Sequence, residues 1–133
     1  YRPRNGNDDS VFLTNGSTRM TITHDGKVGI GISQIANGQV TLVSEGVEVE
    51  TFLTSSYSTG KYILQAQSGS SILSAEVLLL QSQSAYLNQY AVLTNNDDSD
   101  WVSFSADVSE SKARLVASSS YDGITIRYNR TLI

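Results

Sequence analysis

Apolar and polar residues alternate along most of the chain with a period of two, the signature of strands with one face buried. Val11–Thr14 is followed by Asn15-Gly16, a strong signal for a two-residue hairpin turn. Met20 and Ile22 then alternate with Thr21 and Thr23, and Asp25-Gly26 marks a second turn of the same kind. Val28, Ile30 and Ile32 alternate with Gly29 and Gly31. The pattern predicts a meander of three short strands, with Val28, Ile30 and Ile32 on one face. Glycine weakens a strand interior unless backbone must come close to something or the strand bulges. Close packing against a neighbouring chain accounts for both glycines, and a bulge is the alternative.

Residues Ser33 to Gly38 read as a connector, which divides the chain into a meander over 1–38 and a second unit over 39–133. Longer strands are expected near Val40–Val43, Val47–Thr54, Lys61–Gln67, Ile72–Gln81, Ala85–Leu93, Trp101–Asp107, Ala113–Ala117 and Ile124–Leu132. Clusters rich in Ser, Asn, Asp and Gly separate them, as in an antiparallel β-sandwich of jelly-roll type. The run from Ile72 to Leu80 also fits a short apolar helix. Tyr62, Ile63 or Leu64, Val77, Leu79, Tyr90, Phe104, Leu115 and Ile126 are the expected core of the sandwich.

Composition narrows the chemistry. The 133 residues suffice for one domain with a short extension, and the net charge is −4. No cluster of Lys or Arg occurs, so the electrostatic footprint of a nucleic-acid binder is missing. The longest apolar run, Val77–Leu80, is too short to cross a bilayer as a helix, and no membrane insertion is expected. There is no cysteine to serve as nucleophile or metal ligand. The single histidine, His24, adjoins a turn, which leaves a nucleophilic triad without its base. Glu48 and Glu50, two apart on one strand, would share a face about 7 Å apart, a spacing that suits a glycosidase pair. Solvated surface carboxylates are the commoner reading, and no catalytic residue is expected.

Two sets of residues suggest binding. Asn96, Asp98 and Asp100 have the i, i+2, i+4 oxygen spacing that calcium loops use, without the glycine and distal glutamate of an EF-hand. Calcium and a plain Asx-rich turn are the two readings, and no other cofactor is expected. Asn5-Gly6-Asn7-Asp8-Asp9 is a second acidic turn. Trp101, Tyr57 and Tyr121 lie near strand ends, where an exposed ring can stack on a sugar or anchor a protein contact. Capping of the core is the other role for Trp101.

The stretch Asn15-Gly16-Ser17-Thr18-Arg19-Met20, continuing to Asp25-Gly26-Lys27-Val28-Gly29-Ile30-Gly31, resembles a segment of phage tail-fibre and tailspike chains. There it often stands before a terminal domain. Lys61–Gln65, Glu76–Leu80, Ala85–Tyr90, Phe104–Val108, Ala113–Leu115 and the closing Arg130-Thr131-Leu132-Ile133 resemble a β-rich terminal module of phage, especially cyanophage, virion proteins. In that pattern a His often follows the Leu run; Gln81 stands there instead. The resemblance implies a virion structural protein: the C-terminal part of a homotrimeric tail fibre, in contact with other virion proteins and able to attach to a host surface glycan or protein. A head decoration protein and a glycan-binding or depolymerase module are the alternatives. The resemblance also implies that Ile133 is the natural C-terminus, and Tyr1 in place of Met suggests a piece of a longer chain. The count of three comes from the resemblance alone; Val28, Ile30 and Ile32 are expected at the seam because residues 1–38 are too few to bury a core by themselves.

Overall fold

A computed structural model describes residues 9–42 and 46–133. These residues form eleven strands: β1 Ser10–Thr14, β2 Ser17–Ile22, β3 Val28–Ile30, β4 Ser33–Leu42, β5 Val47–Leu53, β6 Thr59–Ser68, β7 Ser71–Ser82, β8 Ser84–Thr94, β9 Val102–Ser109, β10 Lys112–Ser119 and β11 Ile124–Leu132. No helix occurs among the described residues. The Ile72–Leu80 run, compatible with a helix in sequence, lies within β7. Its alternation of buried Leu73, Ala75, Val77 and Leu79 with more exposed neighbours has the period of a strand.

All pairings are antiparallel. One sheet has eight strands in the order β1-β2-β3-β4-β11-β6-β7-β8, and the other has three, β5-β10-β9. The last strand in sequence is central in the large sheet. β11 pairs with β4 from Ile124↔Leu42 to Leu132↔Gln34, and with β6 from Thr125↔Gln67 to Leu132↔Gly60. It thereby joins the N-terminal half of the sheet to the β6-β7-β8 half. The small sheet covers part of the large one, and the core lies between them. Tyr62, Leu64, Ala66, Val77, Leu79, Ile126 and Leu132 from the large sheet meet Val49, Phe52, Phe104, Ala113 and Leu115 from the small one. At about 25 cal/mol per Å² of apolar surface, this burial is the main stabilising term.

Most of the expected core is found here, with one alternative resolved and one correction. Register puts Leu64, not Ile63, inward, and Ile63 is 56% exposed on the far face. Tyr90 is also off the core: it pairs with Glu76 on the outer face, and Leu87, opposite Leu79, takes the inward place on β8.

The meander forms, with its first turn as expected and its second loop longer. Asn15 and Gly16 both have positive φ, 50° and 73°, as the expected two-residue turn requires. At Asp25-Gly26 the loop is longer: Thr23 N–H donates to Lys27 O at 2.9 Å, and Gly26 has φ 87°. Gly31, with φ 60°, ends β3 in a turn with Ile32, so Ile32 is not the next inward-outward step of the strand. The Ser33–Gly38 connector is instead the first half of β4, paired to both β3 and β11. The boundary expected between 38 and 39 therefore falls inside a strand. Val43, the end of one expected strand, lies outside the described residues.

Strand edges are handled locally. A bulge at Val49 interrupts the ladder of β5, and another at Ala91, φ 53°, interrupts β8. β8 also lies beside β9. Bulges and cover of this kind discourage edge-to-edge pairing with other chains. The β9–β10 turn holds Glu110 and Ser111 at φ 53° and 63°, a conformation that costs a non-glycine residue about 1 kcal/mol or more. Ser111→Gly should raise stability by about 0.5–1 kcal/mol, measured by urea denaturation; a loss of stability would show that the turn is not in this conformation.

Candidate functional site

The most developed polar assembly is buried between the sheets, around Glu50. Alternation alone would place Glu48 and Glu50 on one face of β5. The bulge changes this: Glu48 opposes Val116 and Glu50 opposes Leu115, with Val49 as the extra residue. Glu48 therefore faces outward and Glu50 inward, and the expected shared face does not exist.

Glu48 joins a surface triad. Arg114 Nη1 donates to Glu48 Oε1 at 3.0 Å and Arg114 Nε to Asp107 Oδ1 at 2.6 Å. The hydrogen bond from Arg114 holds the Asp107 carboxyl below its ordinary pKa, and these bonds raise that of Arg114. The triad crosses all three strands of the small sheet.

Glu50 receives four hydrogen bonds. Arg130 Nε on β11 donates to Oε1 at 2.7 Å and Oε2 at 3.0 Å; Tyr62 OH on β6 donates to Oε1 at 2.9 Å; Tyr128 OH on β11 donates to Oε2 at 3.1 Å. Arg130 is nearly enclosed, its side chain 2% exposed. Its other nitrogens donate to the Gln34 backbone carbonyl at 3.1 Å and Gln34 Oε1 at 3.0 Å, on β4. A buried charge costs several kcal/mol unless paired and fully hydrogen-bonded, and here both ions are. The two phenol rings need room, which glycine supplies. A Cβ on Gly38 would stand 2.5 Å from Tyr128 Cζ, and one on Gly60 would stand 2.8 Å from Tyr62 Cε2. The cluster links β4, β5, β6 and β11 across both sheets.

Electrostatics follows from this enclosure. Burial holds the Tyr62 phenol far above its ordinary pKa, and the Glu50 charge adds to the effect. Burial, then Glu50, pushes Tyr128 up to about 12. The two phenols hold their protons tightly, and each Glu50 oxygen accepts from two donors; the arrangement serves structural cohesion.

The other sequence candidates are dispersed. Val28 and Ile30 share one face of β3, while Ile32 is 85% exposed at the turn beyond it. Trp101 is fully buried. Its Nε1 donates to Thr94 Oγ1 at 3.1 Å, and that hydroxyl donates to Ile72 O at 2.8 Å. This is the core-capping role, and it leaves the ring no surface to offer a ligand. Tyr121, 41% exposed, lies against Trp101 with ring centroids 5.5 Å apart. Tyr57 is half-buried, edge-on to Phe52 at 6.4 Å. The three rings do not form one platform.

Asn96, Asp98 and Asp100 form successive Asx turns. Asp98 N–H donates to Asn96 Oδ1 at 3.0 Å, and Asp100 N–H to Asp98 Oδ1 at 2.9 Å. Asn96 Nδ2 reaches Ser71 Oγ and Tyr121 OH, each at 3.2 Å. Two of the three oxygens proposed for calcium thus accept from the loop's own backbone. His24 is exposed in the β2–β3 loop, with its Nδ1 3.5 Å from Asp9 Oδ1. Most of the Asn5–Asp9 turn lies outside the described residues.

No family model matches the chain, and no curated protein does. Among solved structures, the tailspike protein of Acinetobacter baumannii phage AM24 is similar at a TM-score of 0.46 and 11% identity. The similarity covers 76% of this chain and 26% of the tailspike, so this chain corresponds to about a quarter of that protein's length.

Two outcomes test the Glu50 cluster. Glu50→Gln removes the charge that compensates buried Arg130 and should cost about 3–5 kcal/mol, read from denaturant unfolding; a cost under about 1 kcal/mol would mean that Arg130 is solvated. Alkaline pH tests the phenols. Because the folded pKa of Tyr128 lies above the ordinary value of 10.0, its stabilisation is complete below pH 10 and is lost as pH rises towards about 12. Tyr128→Phe should flatten the fall in stability over that window, and an unchanged slope would place its hydroxyl in water.

Proposed function

We propose that the chain is a non-catalytic structural module of a phage virion appendage, and that it works as a homotrimer. The resemblance of the Asn15–Gly31 stretch to tail-fibre segments motivates the virion setting and the count of three. The observation that carries self-association is an uncovered apolar face. Directly opposed residues share a face, so the pairs Met20↔Ile30, Ile22↔Val28 and Val28↔Ile35 place these five side chains together on the side of the sheet away from the core. Among the described residues, strands β1 to β3 make their extensive contacts only with sheet neighbours. Ile30 and Ile35 remain 53% and 47% exposed.

A sheet with one apolar face needs a second layer. A homo-oligomer supplies it from copies of the same surface, and the bulged edges favour association through faces. Thr21, Gly29 and Gln34 lie on the opposite side of the meander, which is not apolar in the same way. The assembly then has a rigid sandwich, pinned by Glu50 and Arg130, beside a meander that holds the copies together. Depolymerase activity has weaker support, because Glu48 and Glu50 face opposite ways.

Light scattering on the purified protein is the test. A mass three times the 14.4 kDa of one chain is expected. Ile30→Asp, repeated in every copy, should shift the protein towards monomer while the sandwich stays folded, since an exposed-face Ile contributes up to about 1.5–3 kcal/mol only when covered. A monomer at micromolar concentration, with unchanged meander spectra, would sink the proposal.

A further inference from the structure

A cleft of about 230 Å³ opens where the small sheet stops at its β5 edge and the large sheet continues into the meander. Its polar lining includes Lys27, Gln34, Thr51, Ser56, Tyr57, Lys112 and Arg130. Phe52 and Leu53 supply an apolar wall. The protein carries 13 acidic and 9 basic side chains, yet among the described residues three of the basic ones line this cleft and no carboxylate does. Arg130 is committed to Glu50 and Gln34, and Lys27 Nζ lies 3.2 Å from Asp25 Oδ2. Lys112 is exposed at the start of β10, and its side chain makes no ion pair or hydrogen bond among the described residues.

From this lining we infer that the cleft binds a carboxylate-bearing sugar unit, with Lys112 as the charge that meets the carboxylate. Three features select that class. The cation asks for an anion, and a concave site focuses its field on a ligand held at short range. The Ser56 and Tyr57 hydroxyls and the Gln34 amide can each both donate and accept, which matches ring hydroxyls better than a bare anion. Phe52 and Leu53 offer an apolar surface for the C–H face of a pyranose. The volume admits one such ring, so the site takes a single acidic unit. Tyr57, a weak candidate as an isolated ring, finds a role here in company. The cleft lies on the inward side of the sheet, opposite the face assigned to self-association, and it would serve attachment without disturbing assembly.

The test is titration of the whole chain with glucuronate, followed by amide chemical shifts in the NMR spectrum. Glucose, acetate and glutamate are the controls. One weakly held unit should bind on the order of 1 mM, as few atoms make contact. Shifts should cluster at Gln34, Ser56, Tyr57 and Lys112. Affinity should fall about tenfold or more in Lys112→Met, and fall with added salt. Lys112 is exposed, and an unchanged circular dichroism spectrum would exclude misfolding of the variant. Equal binding of acetate or glutamate would overturn the sugar assignment. Binding of glucose as tightly as glucuronate would overturn the role of Lys112. Absence of saturable shifts with glucuronate would overturn the site itself. Light scattering on the same samples reads the oligomeric state separately, so failure here and failure of the trimer are distinguishable.

Discussion

A charged pair enclosed between two sheets dictates how this chain can fold. Arg130 stands on the last strand and Glu50 on the first strand of the small sheet, eighty residues apart in sequence. Neither can be buried alone, since an unpaired ion in that position costs several kcal/mol. β11 must therefore sit in the large sheet at one register, with Arg130 opposite Ala36 on one side and Tyr62 on the other. A slip of one residue would turn Arg130 to solvent and Ile124, Ile126 and Leu132 with it. The apolar core supplies most of the stabilisation; the ion pair and its two phenols select which packing of that core is reached.

The same constraint explains the shape of the surface. With β5 pinned against β4, β6 and β11, the small sheet stops short of the meander. The large sheet continues past it, with apolar side chains on one side and the basic cleft on the other. The bulges at Val49 and Ala91 interrupt the ladders at the sheet edges. What remains for association is a face, and what remains for a small ligand is the ledge under β5. The proposed assembly face and the proposed binding cleft thus lie on two sides of one sheet.

Strand positions were legible in the sequence to a large degree because period-two alternation and Asn-Gly turn chemistry are local. Val11–Thr14, Val47–Thr54 and Ile124–Leu132 correspond closely to β1, β5 and β11. Where local reading failed, a bulge or turn had shifted the parity. Val49 separated Glu48 from Glu50, and Gly31 removed Ile32 from the end of β3. Ser33–Gly38 looked like a connector because Gln, Asn and Gly are poor strand formers. Pairing on both sides, to β3 and β11, overrides that weak preference. The Glu50 cluster was not visible, because Gln34, Glu50 and Arg130 read as ordinary surface residues until a contact across eighty residues closes. Its one sequence trace is the parity of Arg130, which falls in step with the inward Ile124, Ile126 and Leu132. The cleft was hidden for the same reason: Lys27, Lys112 and Arg130 are far apart in the chain.

A double-mutant cycle on Glu50→Leu and Arg130→Met tests most directly whether this pair governs the sheet packing. Each single replacement should leave a buried charge uncompensated and lower unfolding stability by about 3–5 kcal/mol. The double replacement should recover much of that loss, giving a coupling energy of about 2 kcal/mol or more. Costs that simply add, with no coupling, would contradict the account.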